Sequence, residues 1–301
     1  MPLPLNKSIE LHVEPRRSSA TLMRGWPRSR PLAHAECVVD PVKMDDDEDV
    51  VDATLRDLAS KTRLQGVPLR AALSSHLIQF DVATGDFSDS SDRQLRAIAT
   101  ACMAELLGDQ ADGHELRWHL QSDERHLLIC AIDRSRMTQL ERASTALGLR
   151  LSSVTPVFVL AWNALAKGLP LGESVFAVSG STDLTIAAVV DGSIAAIRVE
   201  PPLDDRGPIR DGRRAATHAA ARLTNISPSA PAHATPIQFG FSEDVAQAVD
   251  VHTLDVSVDR FVARLGRDPA TQAGHVLVCE DGAMPAVSRR WTVVENPRNF
   301  Q

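Results

Sequence analysis

No two of the four cysteines, Cys37, Cys102, Cys130 and Cys279, form a CxxC pair. That spacing excludes the common zinc-ribbon and dithiol redox motifs. Cysteines set in apolar runs read as buried free thiols in a reducing compartment. No run approaches the ~20 apolar residues of a membrane-spanning helix, and no early apolar segment resembles a signal peptide. The expectation is a cytosolic chain whose contact with a membrane comes through a partner. Positive charge is also short, since 32 Lys and Arg face 39 Asp and Glu for a formal net charge of -7. A general nucleic-acid binder needs a concentrated cationic surface, so none is expected as a partner. The clusters "PRRSS", "RGWPRSR", "RDGRR" and "SRRW" are short, mixed with Pro or Ser, and read as solvated turns.

Catalytic signatures are missing as well. There is no GxSxG elbow, HExxH helix or GxxxxGK[ST] loop, and "GDFSDS" lacks the spacing of an elbow. His76, His119, His126 and His275 adjoin apolar strand-like runs without a clustered ligand pattern, so they read as structural. The acids at 45–49 lead into "VVDATLRDLASKTR", where negative charge suits a helix N-terminus better than a metal. No catalytic residue and no metal ligand is expected.

What is present is a 301-residue chain with 44% hydrophobic residues, enough for one two-lobed unit or two domains. "SIELHVEP", "ATLMRG" and "LAHAECVVD" predict three short strands, and "VPLRAALSSHLIQFDVAT" is mostly strand. Gln94 to Leu107 predicts a helix with Leu95, Ile98, Ala99, Cys102 and Leu106 on one face and a stop at Gly108. Two strands, "ELRWHLQ" and "HLLICAI", precede a helix with Met137, Leu140, Ala143 and Leu147 inward. "LRLSSVTP" is then a strand, and "VFVLAWNALAKG" a mostly buried helix ending at Gly168. Beyond it, "VFAV", "LTIAAVV" and "SIAAIRVE" are strands, the last two joined by Asp191-Gly192. A tight type I′ turn needs positive φ at both positions, which that pair tolerates. "RRAATHAAARL" and "SVDRFVARLG" predict helices, "HVLVCEDGAM" a buried strand feeding a loop, and "RRWTVVENP" an edge strand. Trp162 is expected inside, and Trp26, Trp118 and Trp291 at edges or interfaces.

"LLICAIDRSRMTQLERASTALGLRLSSVTPVFVLAWN", "DLTIAAVVDGSIAAIRV" and "HVLVCEDGAMPAV" follow one another along the chain as the inserted subdomain with its return to the main lobe, the second-lobe phosphate hairpin and the late nucleotide loop do in another group of proteins. The chain resembles the actin-like cytoplasmic PilM-like and GspL-like proteins of type IV pilus and type II secretion assembly platforms. The resemblance implies an α/β, two-lobed actin-like (ribonuclease H-like) fold with an inserted small α/β subdomain. The first lobe would span 1–168, with the insert at about 68–155. The second would span 169–301, shortened at its C-terminus. It also implies a cytoplasmic protein held at the inner membrane by the cytosolic segment of a pilus or secretion assembly protein, with self-association left open.

A working actin-like ATP site needs turns whose amides meet phosphates, carboxylates that manage Mg2+, and an open late glycine loop. The family's usual Asp-x-Gly meets Val178-Ser179-Gly180 here, so the turn glycine is kept and the carboxylate is not. "IELHVEP" lies where an earlier Asp-x-Gly belongs and holds only Glu10 and Glu14. A Gly-Gly-Gly-Ala type loop meets Glu280-Asp281-Gly282-Ala283, adding acids where an anion would approach. Gly180, Ser181, Thr182 and Gly282 are the residues that would line the cleft if nucleotide binding persists. The expectation is a non-catalytic scaffold without cofactor. Three rivals stay open: an ATP-binding member of the same family, an unrelated soluble α/β enzyme, and an adaptor of another secretion or phage-related assembly on the same fold.

Overall fold

The computed structural model describes residues 7–25, 30–38, 50–169, 171–180, 183–200, 251–267, 274–279 and 291–295. They fall into two compact units. One is formed by the described residues of Met1–Gln79, Asp112–Leu116 and Cys130–Leu160, the other by those of Phe80–Ala111, Arg117–Ile129 and Ala161–Gln301.

The first unit is built on a five-stranded sheet in the order β3-β2-β1-β4-β8. Its strands are β1 (Lys7–Val13), β2 (Arg17–Arg24), β3 (Arg30–Val38), β4 (Pro68–Leu73) and β8 (Arg150–Pro156). The β1–β2–β3 meander is antiparallel, whereas β4 runs parallel to β1 and β8 parallel to β4. Alternation sets the inner face: Ile9, Leu11 and Val13 lie opposite Leu22, Ala20 and Ser18, and all six are buried. Helix α1 (Val50–Lys61) buries Val51, Leu55 and Leu58, and packs on β2 and β3. Its buried Thr54 hydroxyl donates to the Val50 carbonyl, as the Ser18 hydroxyl of β2 does. Residues 45–49, read as a solvated helix start, lie outside the described residues.

The stretch "VPLRAALSSHLIQFDVAT" is not one strand. A 3-10 turn at Ser75–Leu77, in which the Ser74 hydroxyl accepts from the His76 amide, divides it into β4 and β5 (Ile78–Thr84). β5 joins a separate three-stranded sheet in the order β5-β7-β6, with β6 (His114–Leu120) and β7 (His126–Asp133). The strands at the two ends of 68–155, β4 and β8, therefore hydrogen-bond into the first sheet.

Helix α2 (Asp92–Leu107) begins at a capping box, with the Ser91 hydroxyl accepting from the Gln94 amide and the Gln94 side chain accepting from the Ser91 amide. It ends at Gly108 with φ of 57°. Leu95, Ala99 and Cys102 are buried as the periodicity predicts, but Leu106 is 46% exposed and Met103 is buried instead. Leu106 lies in the last turn, two residues before the Gly108 cap and past the end of the buried stripe. Helix α3 (Arg134–Ala146) buries Leu140 and Ala143 and is capped by Asp133, whose carboxylate accepts from the Ser135 amide at 2.7 Å. Helix α4 (Val157–Leu165) is less buried than its composition suggests: Val157, Phe158 and Ala161 are inside, but Leu160 is 43% exposed.

The second unit contains the sheet β11-β10-β9-β12-β13. β9 (Glu173–Ser179), β10 (Leu184–Val190) and β11 (Ser193–Glu200) are antiparallel, and β12 (Gly274–Cys279) and β13 (Trp291–Glu295) run parallel to β9. β13 takes the edge, as expected. The Asp191-Gly192 turn has φ of 48° and 81°, the pair of positive values that a type I′ hairpin requires. Helix α5 (Val251–Arg264) lays Leu254, Val258, Phe261 and Val262 on Val175, Ala177, Leu184, Ile186, Ala188 and Leu277. On the opposite face Phe176 meets Trp162 edge to face, with centroids 5.4 Å apart. The helix predicted at "RRAATHAAARL" lies outside the described residues.

At its far end, Glu200 of β11 is mostly buried. Burial pushes its carboxyl above the ordinary value of 4.5, against the lowering pull of the Ser257 hydroxyl and Arg260 of α5. The folded chain then holds this proton more tightly than the unfolded chain, so the stability it contributes is present below 4.5 and lost as pH rises through the folded value. Glu200→Gln should therefore gain in urea midpoint relative to the parent between pH 4.5 and 7. An unchanged difference across that range would contradict the burial argument.

Candidate functional site

The turn between β9 and β10 is the place to ask whether a phosphate could be held. β9 and β10 remain in register to their ends, with Ser179 opposite Leu184 and the Gly180 amide donating to the Asp183 carbonyl at 2.9 Å. Ser181 and Thr182, like Gly282, lie outside the described residues. The consequence for Gly180 is direct: its N–H, the group a phosphate oxygen would seek, is used to close the hairpin.

Val178, where the resemblance expects a carboxylate, is 2% exposed. It stands opposite Thr185 on β10 and Val278 on β12, in the centre of the sheet. A methyl pair at this point packs and cannot hold a hydrated ion. Asp183, which sequence reasoning did not single out, is buried beside this turn. Its only signal in the sequence is an acid placed directly before the apolar run 184–190.

At the first sheet, Glu10 and Glu14 take different positions. Glu10 is in mid-strand, opposite Thr21 and Arg70. Glu14 follows β1 at a two-residue hairpin, its amide donating to the Arg17 carbonyl at 2.8 Å. Its buried carboxylate lies 3.7 Å from His12 Nδ1. An imidazole beside the acid takes up part of its capacity as an ion ligand, and proline at position 15 has no amide to offer an anion.

His126, at the start of β7, is buried. Its Nδ1–H donates to Asp123 Oδ2 at 2.5 Å, and Asp123 Oδ1 accepts from the Arg125 and His126 amides at 3.0 and 3.2 Å. Burial raises the Asp123 carboxyl, but these bonds, led by the one from His126, hold it below the usual range. Burial pushes the Cys130 thiol up to about 12, so it stays protonated and inert at neutral pH. Trp118 is half-buried beneath the Arg96 guanidinium, 5.3 Å from the ring centroid. Among the described residues no group of three or more His, Cys, Asp or Glu is placed to hold a metal ion, and no helix is long and apolar enough to cross a membrane.

No protein-family profile and no curated protein matches the chain. Solved structures do. The chain is similar to the PilM-PilN type IV pilus biogenesis complex at 12% identity, covering 99% of this chain and 90% of that one with a TM-score of 0.61. It is similar to the cytoplasmic domain of EpsL, an inner membrane component of the type II secretion system of Vibrio cholerae, at 7% identity, 98% and 92% coverage and a TM-score of 0.54. A Bacteroides thetaiotaomicron protein with an actin-like ATPase fold and unknown function is similar at 8% identity, 94% and 84% coverage and a TM-score of 0.50. The fold is the actin-like α/β fold that the sequence resemblance implies.

Proposed function

We propose that this chain is a non-catalytic, actin-like scaffold, cytoplasmic and peripheral to the inner membrane, that binds the cytosolic segment of a membrane protein in a type IV pilus or type II secretion-like assembly platform. The lobes of such a scaffold would be 1–168 and 169–301. One observation carries the non-catalytic part: the second phosphate turn has a buried valine in place of its carboxylate and a glycine amide already used in the hairpin. Without the carboxylate the Mg2+ shell has no anchor, and without the amide the phosphate loses a fixed dipole. The likeness to the EpsL cytoplasmic domain and the PilM-PilN complex supports the assembly-platform part through fold alone.

Two measurements test the proposal together. Melting of the full chain with millimolar Mg-ATP should show no shift, whereas a shift that disappears in Gly180→Val would select the ATP-binding alternative. Co-expression with membrane pilus or secretion proteins encoded nearby should copurify one of them through its cytosolic segment. Failure of every such segment to bind would remove the scaffold reading.

A further inference from the structure

β3 forms one edge of the first sheet, and among the described residues it pairs only with β2. Its residues alternate in exposure: Ala33, Ala35 and Cys37 turn inward, whereas Leu32, His34, Glu36 and Val38 stand on the open face. Leu32 is 48% and Val38 63% exposed, two of the largest apolar exposures in the described chain. The bulge in the β2–β3 pairing at Leu22/Met23 leaves the run from Ala33 to Val38 regular. An exposed edge of this kind is a template for another strand.

The sequence of the strand is self-complementary in one register. A two-fold axis perpendicular to the sheet pairs β3 antiparallel with its copy and keeps the α1 side of both copies on the same face. If the axis passes at Ala35, Leu32 lies opposite Val38 and His34 opposite Glu36, and symmetry repeats each pair. Shifting the axis to His34 puts Leu32 opposite Glu36 and histidine against histidine. Shifting it to Glu36 sets two carboxylates against each other. Only the Ala35 register covers both exposed apolar side chains and matches imidazole with carboxylate.

We propose that β3 is a homodimerisation edge, joined to a second copy of this chain through the register centred on Ala35. The contact is weak and reversible, because it competes with Lys61. That ammonium donates to the His34 carbonyl at 2.9 Å and to Asp57 at 2.7 Å, and it must release the strand edge when a copy approaches. Charged side chains at sheet edges commonly limit pairing in this manner. Glu36 keeps one oxygen on Arg17 Nε at 2.8 Å and the other 3.8 Å from His34 Nε2 of its own chain, while His34 Nδ1 meets the Thr21 hydroxyl at 3.0 Å, so the pair with the copy forms by exchanging that loose intrachain contact for one across the edge.

Sedimentation of the full chain over about 0.01–0.5 mM should show a monomer–dimer equilibrium. His34→Glu sets carboxylate against carboxylate twice and should weaken it by about tenfold, since each cross-strand pair counts double. The exchange His34→Glu with Glu36→His restores the match and should recover most of the loss. Ala33→Cys, which would lie opposite Cys37 of the copy, should give a disulfide-linked dimer under mild oxidation that Cys37→Ser abolishes. Circular dichroism identifies any variant that fails to fold, and the cross-link carries the test if the charge variants do. A chain that stays monomeric throughout and yields no cross-link overturns the proposal. So does a dimer that ignores His34→Glu in a folded variant. Either result leaves the scaffold reading untouched, because partner binding does not depend on this edge.

Discussion

Val178→Asp is expected to destabilise the chain by roughly 3–5 kcal/mol at pH 7, even though it supplies the carboxylate that the resemblance expects at this turn. The side chain is 2% exposed and stands between Thr185 and Val278, so the new charge would lose its hydration with no cation to replace it. The buried acid would relieve itself by holding its proton, and the loss in urea midpoint should shrink as pH falls below about 5. Adding Mg-ATP should recover none of the loss, because the Gly180 amide is still spent on Asp183. Recovery that depends on Mg2+ would mean that the turn can still organise an ion, and the non-catalytic proposal would fail.

The second large effect is expected from a residue with no evident signal in the sequence. Gln121 follows β6, and its side-chain amide bonds both backbone groups of Ile194 on β11: Nε2 donates to the carbonyl at 2.7 Å, and Oε1 accepts from the amide at 2.6 Å. All these groups are buried. Gln121→Leu keeps the volume but leaves one buried N–H and one buried C=O without partners, which should cost about 2–4 kcal/mol. Urea unfolding would measure the loss, and hydrogen exchange of the Ile194 amide should accelerate more than that of its neighbours in β10. An Ile194 amide that stays fully protected would mean that another group takes over the bond.

How much of this could be read in advance depended on the range of the forces involved. The Asp191-Gly192 hairpin, the Ser91 to Gly108 helix and the alternation of β1 arise from local preferences of φ, capping and period, and each was legible. Leu106 and Leu160 were misjudged because a periodic stripe says which side of a helix is apolar, not how far the surface it covers extends. The break at Ser74–Ser75 was missed because a 3-10 turn inside an apolar run alters no periodicity strongly enough to announce itself. The candidate site was legible as a departure: Val178 in place of an acid is visible in the chain itself.

By itself, then, the sequence determined the local elements, the actin-like resemblance and the valine at residue 178, where that resemblance expects a carboxylate. Only the tertiary structure decided that Val178 is walled in by Thr185 and Val278, that the Gly180 amide is already bonded, and that β3 is left at an edge. Those facts depend on which strands lie side by side, and side-chain hydrogen bonds likewise join residues as distant as Gln121 and Ile194. Chain-local propensities carry no information about such pairs, because burial and hydrogen bonding between them exist only once the sheet has closed.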